Sequence, residues 1–179
     1  MTSRTDWFEH DRFGMFVHFG LYSRPAGIWK GQRNRHPYSE WLQASEQVPR
    51  AEYRQLAQHF NPTRFDADTW MKTVRAAGMK YFLITAKHHD GFALWPSKAS
   101  AYNVMAATPF KRDILGELAA AAGRHGVKLG FYYSHWQDWE GTGGDICTVH
   151  MENAEYVHPT QAQFEDYWQK KCLIQIREL

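Results

Sequence analysis

A unit that occurs twice restricts the fold of this chain more than any single residue. A helical stretch ends on a glycine, a lysine follows two positions later, and an apolar strand begins: Gly78-Met79-Lys80, then Gly126-Val127-Lys128, 48 residues on. Successive units of this kind build parallel sheets, and the right-handed crossover makes their strands neighbours or near neighbours. Three apolar runs read as strands: Phe13 to Gly20, Lys80 to His89 and Lys128 to Ser134. Their near-continuous apolar character, without clean alternation, fits strands covered on both faces. Apolar residues at helical period predict helices over Asp66 to Ala77 (Ala67, Trp70, Met71, Val74, Ala77) and Asp113 to His125 (Ile114, Leu115, Leu118, Ala121, Ala122). Asp66 suits an N-cap, and Gly78 and Gly126 suit left-handed C-terminal positions. A shorter helix follows Pro49, and Gln161 to Leu179 reads as a last one, with Phe164, Trp168, Cys172, Ile176 and Leu179 on one face. No glycine-rich phosphate loop follows the first strand, which weakens a doubly wound sheet and favours a barrel.

Composition narrows the function classes. Lysine and arginine number 21 against 19 acidic residues, a formal net charge of +2, so nothing electrostatic favours a nucleic acid or an anionic membrane. No run of about 18 apolar residues is present, which excludes a membrane-spanning helix. The stretch Met1 to Arg12 is polar and charged and carries no secretory signal, so a cytoplasmic location is expected. Cys147 and Cys172 are too few for a disulfide framework and lack the CxxC spacing of a zinc site. The surplus is aromatic: 8 Trp, 9 Tyr and 11 Phe, beside 10 His, require a large core or a ring-lined pocket.

In parallel α/β folds the loops at the C-terminal strand ends converge, so functional side chains gather there. Each predicted strand turns polar and aromatic at that end: His18 on the first, Lys87, His88, His89 and Asp90 on the second, Tyr132, Tyr133, Ser134, His135 and Trp136 on the third. His18, two residues after Phe16, is either a core histidine bonded to a carbonyl or a site residue. His88 and His89, as strand neighbours, should point to opposite faces, so one enters the mouth unless the strand breaks there. The same geometry argues against their sharing a metal ion, and no metal or cofactor is expected. Tyr38, Glu40 and Trp41, after the first strand, set a ring, a carboxylate and an indole over the mouth, or else open the next helix amphipathically. Rings around a few placed polar groups suit a carbohydrate site. Trp29, Trp95, Trp136 and Trp139 fall in loops at the same end and are expected to line the pocket, whereas Trp7 and Trp168 are assigned to the core.

Four segments in order, FGMFVHFGLYSRPAG, YSEW, AGMKYFLITAKHHDGFALWPSK and KRDILGELAAAAGRHGVKLGFYYS, resemble the N-terminal half of the catalytic domain of family 29 glycoside hydrolases, the α-L-fucosidases. The resemblance implies an α/β fold, a (β/α)8-like TIM barrel of which residues 1–179 carry about three β/α units and stop before strand four. At this spacing the parent barrel would hold on the order of 350 residues. No second domain is expected within the chain; in the family a β-sandwich follows the barrel. The resemblance implies fucose-binding roles for Phe16 and His18, for Tyr38, Glu40 and Trp41 of a YxEW loop, for the pair His88 and His89, and for Tyr132. It makes Tyr133 structural and gives Asp90 the task of tying down its loop. The implied chemistry is retaining hydrolysis of terminal α-L-fucosyl linkages by a carboxylate nucleophile and a carboxylic acid/base. Both would stand beyond Leu179, so Asp138, Glu140 and Asp145 are not given those roles. The expected partner is a glycan or small molecule bearing α-L-fucose. Two other readings stay open: an inactive fucose-binding or structural fragment and, less favoured, a metal-dependent hydrolase using the histidines.

Overall fold

The computed structural model describes residues 4–141, 143–144 and 157–179. In chain order the N-terminal part holds α1 (Asp6–Asp11), β1 (Gly14–Val17), a small hairpin of β2 (Ile28–Trp29) and β3 (Gln32–Arg33), α2 (Leu42–Ser45) and α3 (Arg50–Arg54). Then come α4 (Ala67–Ala76), β4 (Tyr81–Lys87), α5 (Val104–Ala107), α6 (Ile114–His125), β5 (Lys128–Tyr133), α7 (Gln161–Tyr167) and α8 (Leu173–Glu178). A parallel sheet in the order β1-β4-β5 sits at the centre, so the two repeated units lie side by side as expected. The register sets Phe16 beside Leu83 and Leu83 beside Gly130. His18 and Tyr132, two residues further on, continue that face.

Local chemistry fixes the two long helices almost to the residue. The Asp66 carboxylate caps α4 by accepting from the N–H groups of Asp68 and Thr69. Asp113 caps α6 through Gly116 N–H at 2.9 Å. Gly126, at φ 62°, takes the left-handed C-cap of α6, where a Cβ would be strained. The helices pack together over β4, burying Met71, Val74, Phe82, Ile84, Ile114 and Leu118 completely. Asp68 of α4 ties the pair further by meeting His125 Nε2 of α6 at 2.7 Å.

The last helix departs from its expected form. It runs as α7, a π-turn over Trp168–Cys172, and α8. Its buried face is Tyr167, Cys172 and Gln175, while Ile176 and Leu179 are exposed and Phe164 and Trp168 half-buried. The π-turn shifts the helical phase, and Gln175 is buried because both ends of its amide are hydrogen-bonded, to Tyr133 Oη at 2.7 Å and Ser97 Oγ at 3.0 Å. Trp7 is likewise no core residue: it is 43% exposed, set edge-on against Phe8 and Tyr81. No helix among the described residues is long and apolar enough to cross a membrane. The Asp113 cap makes a direct prediction. Asp113→Ala should lower the unfolding free energy by about 1 kcal/mol, read as a reduced urea midpoint, and Asp113→Asn should recover most of it; an unchanged midpoint for the alanine variant would remove the cap from the account.

Candidate functional site

Two departures from regular strand geometry assemble one wall of side chains. β1 ends at Val17 because Phe19 leaves the ladder: its N–H donates to Thr85 Oγ1 at 3.0 Å, and the Thr85 hydroxyl donates to the Phe19 carbonyl at 3.0 Å. With that proton committed, the Tyr22 hydroxyl donates to Thr85 Oγ1 at 2.8 Å. The second departure is a register shift between Thr85 and Lys87, followed by a turn in which Gly91 N–H donates to the His88 carbonyl at 3.1 Å. Alternation is lost there, and both histidines join the same cluster with ring centroids 4.1 Å apart.

The cluster is continuous. His88 stacks on Tyr132 at 5.4 Å, meets His18 at 5.5 Å and receives the edge of Tyr22 at 5.8 Å. Phe16, 48% exposed, lies 4.6 Å from His18 and 5.9 Å from Tyr132. His89 meets Trp41 at 5.0 Å and Trp139 at 5.3 Å. Glu40 Oε1 stands 4.0 Å from His18 Nε2. Every residue predicted for the site is thereby brought together except Tyr38. That ring is 59% exposed and outside the cluster, although the Tyr38 carbonyl accepts from Trp41 N–H and Asn34 Nδ2.

The expected tryptophan lining is corrected in three of four cases. Trp139 does reach the wall, fully buried against His89 and Trp41. Trp95 instead donates Nε1–H to Glu178 at 2.8 Å, Trp29 packs on the main core, and Trp136 packs on Phe164. Tyr22 also joins the wall, and no local signal in the sequence marks it. Ser134 is legible only as a polar strand end, yet it fixes a tautomer. Its hydroxyl donates to the Gln137 carbonyl at 2.9 Å, so at 2.6 Å it accepts Nδ1–H of His89, leaving Nε2 of that ring as an acceptor.

Beneath the histidines lies a buried ionic layer. Lys87 Nζ is 3.1 Å and Lys171 Nζ 2.7 Å from the same oxygen of Asp138. Burial pushes the Asp138 carboxyl up, but the two ammonium groups outweigh it and hold the group well below the usual carboxylate range. Gly91, at φ +75°, is obligatory beside this layer, since a Cβ there would stand 2.5 Å from Asp138 Oδ1. Asp90 ties down its own loop as the resemblance implied, accepting from Phe92 N–H at 3.2 Å and Tyr53 Oη–H at 3.1 Å. Tyr133 is structural too, covering Lys87 Nζ at 4.8 Å. Glu140 pairs with Arg54 at 2.8 Å, and Asp145 lies outside the described residues. Among the described residues, no three His, Cys, Asp or Glu side chains converge as metal ligands.

A parallel sheet of β/α units that gathers rings and imidazoles at its C-terminal edge defines an α/β protein with a candidate site at that end. Comparison with known proteins makes the class specific. The sequence matches the α-L-fucosidase family over residues 2–179, and the chain belongs to that family. Tissue α-L-fucosidase of Mus musculus is 37% identical over 134 residues, 72% of this chain and 29% of its own length. α-L-Fucosidase AlfC from Lactobacillus casei, solved in complex with α-L-fucose product, superposes on 97% of this chain with TM-score 0.86 and 40% identity, using 56% of its own chain. The α-L-fucosidase of Vibrio sp. strain EJY3 superposes on 99% of this chain with TM-score 0.89 and 39% identity, using 30% of its own. The chain thus spans under a third of the length of the mouse relative and about half of the Lactobacillus one.

His88 and His89 are held neutral. Burial, then the neighbouring His89, His18 and Lys87, pushes His88 down to about 2; burial, then Lys87 and His18, pushes His89 down to about 3. Burial pushes Asp90 up to about 7, against its hydrogen bonds to Phe92 and Tyr53. Between about pH 5 and 6 the unfolded chain therefore binds about 1.5 to 1.9 protons on these histidines that the folded chain refuses, while folded Asp90 holds nearly one that the unfolded chain releases. The net is somewhat under one proton in favour of unfolding. Stability should fall by about 1 kcal/mol per unit as pH drops through that window, measured by urea unfolding in buffers of stepped pH. His89→Gln should flatten the slope; an unaltered slope in that variant would contradict the assignment.

Proposed function

We propose that this chain forms the sugar-recognition wall of a retaining α-L-fucosidase, the N-terminal portion of a (β/α)8-like barrel whose nucleophile and acid/base lie beyond Leu179. The observation that carries the reading is the cluster itself: Phe16, His18, Trp41, His88, His89 and Tyr132 in one contact network, with Glu40 at 4.0 Å from His18. The neutral ring of His89 gives a sugar hydroxyl an acceptor at Nε2, its Nδ1–H being taken by Ser134, and the Glu40 carboxylate accepts from two neighbouring hydroxyls. Phe16, Trp41 and Tyr132 offer ring faces to sugar C–H groups and to a methyl substituent. Tyr38 stands at the exposed rim and serves whatever extends beyond the terminal sugar.

Retaining hydrolysis needs a carboxylate that attacks the anomeric carbon and a second carboxyl group that first protonates the leaving oxygen and then activates water. Among the described residues, the acids around this wall other than Glu40 are already engaged. Asp138 is held by two ammonium groups, Asp90 by Tyr53 and Phe92, and Glu140 by Arg54. The limited share of the relatives' length that the chain spans supports placing the chemistry outside it. The chain should bind L-fucose weakly by calorimetric titration, with Glu40→Gln at least tenfold weaker, as expected on loss of a hydrogen bond to a charged group. It should release no 4-nitrophenol from 4-nitrophenyl α-L-fucopyranoside. Release by the chain alone would overturn the placement of the carboxylates, and absence of binding heat would count against the wall as a fucose site.

A further inference from the structure

The π-turn over Trp168–Cys172 inserts a residue into the phase of the last helix, a device that recurs at functional sites. Here it lets one helix serve two strand-end loops. Before it and at its end, Tyr167 Oη donates to the His135 carbonyl at 3.4 Å and Cys172 Sγ approaches the same carbonyl at 3.7 Å. After it, Gln175 binds Tyr133 and Ser97, and Glu178 accepts from Trp95 Nε1 and Lys98 N–H, both at 2.8 Å. Within the turn stands Lys171, its side chain 14% exposed, reaching the buried Asp138.

Asp138 already has a buried ammonium, Lys87, at 3.1 Å, so the second cation is not required for neutrality. It constrains position instead. The other carboxylate oxygen accepts from Glu140 N–H at 3.2 Å and Gly141 N–H at 3.3 Å, so Asp138 is gripped from both sides. Its chain neighbours are the two contacts that hold His89. Trp139 N–H donates to the His89 carbonyl at 2.7 Å, and the Gln137 carbonyl takes the Ser134 proton, which orients Ser134 to receive Nδ1–H of His89.

We infer that Lys171 is a positioning residue of the sugar pocket: from the π-turn it fixes Asp138, and through the segment Gln137 to Trp139 it sets the backbone position and the tautomer of His89. The inference takes its ligand from the fucose reading above, but its geometry stands apart from it. Lys171 itself touches no sugar. The test compares the full chain with Lys171→Met and Lys171→Arg by two readouts, the affinity for L-fucose and the His89 Nδ1–H resonance in proton–nitrogen NMR. The methionine variant should bind L-fucose about tenfold more weakly and lose the protected Nδ1–H signal, and arginine should restore both to within about threefold. A methionine variant that keeps both affinity and signal overturns the proposal. So does an arginine variant as impaired as methionine, since packing at the turn and not the ion pair would then be responsible. Should the methionine variant not fold, Lys171→Gln carries the same comparison. If the unsubstituted chain binds no L-fucose, the fucose reading fails, and the resonance alone decides the role of Lys171.

Discussion

A lysine with no accessible surface, at the end of the central strand, is the constraint around which this structure is arranged. Leaving an ammonium buried and unpaired would cost several kcal/mol, so Lys87 commits the chain to bringing a carboxylate over the end of β4. Asp138 does so from the loop after β5, and the close approach explains why the turn between the two histidines and Phe92 must contain Gly91. Breaking such a pair by removing one partner costs on the order of 3–5 kcal/mol. The loop that carries Asp138 is thus fixed by electrostatics before any ligand arrives.

The electrostatic consequence reaches the pocket. Lys87 is adjacent in sequence to the paired histidines and is one of the causes that keep them unprotonated. On the sugar-binding reading proposed above, the uncharged rings of His88 and His89 would meet a hydroxyl-rich ligand with directional hydrogen bonds and without the desolvation cost that a charged imidazole would add. Glu40 stands at the margin of that wall, 4.0 Å from His18 Nε2.

How much of this is legible in the sequence depends on whether the deciding partner is near in the chain. The boundaries of α4 and α6 follow from Asp66, Asp113 and Gly126, all within a turn of the residues they cap, and the parallel pairing of β4 with β5 follows from the repeated unit. β1 is shorter than its apolar run because Thr85, 66 residues away from Phe19, takes over its hydrogen bonds. The last helix departs from its apolar pattern because that pattern says nothing of a polar Gln175 whose amide is satisfied by Ser97, 78 residues distant. Among the site residues, motif resemblance names the histidines and the YxEW loop, but a regular strand would separate His88 from His89. Only the shift after Thr85, which no composition rule announces, brings them together. Tyr22 and Lys171 illustrate the limit: each matters through one atom placed by long-range packing.

Among the described residues, β1 and β5 each pair with β4 on one side only, and the face that carries Phe16 and Tyr132 remains partly open. Sheet edges are rows of unsatisfied donors and acceptors, and a half-open aromatic wall is apolar surface in water. On the barrel reading proposed above, the polypeptide that joins these two edges would also bound the wall between them. Closing the sheet and covering the aromatic face would then be a single event.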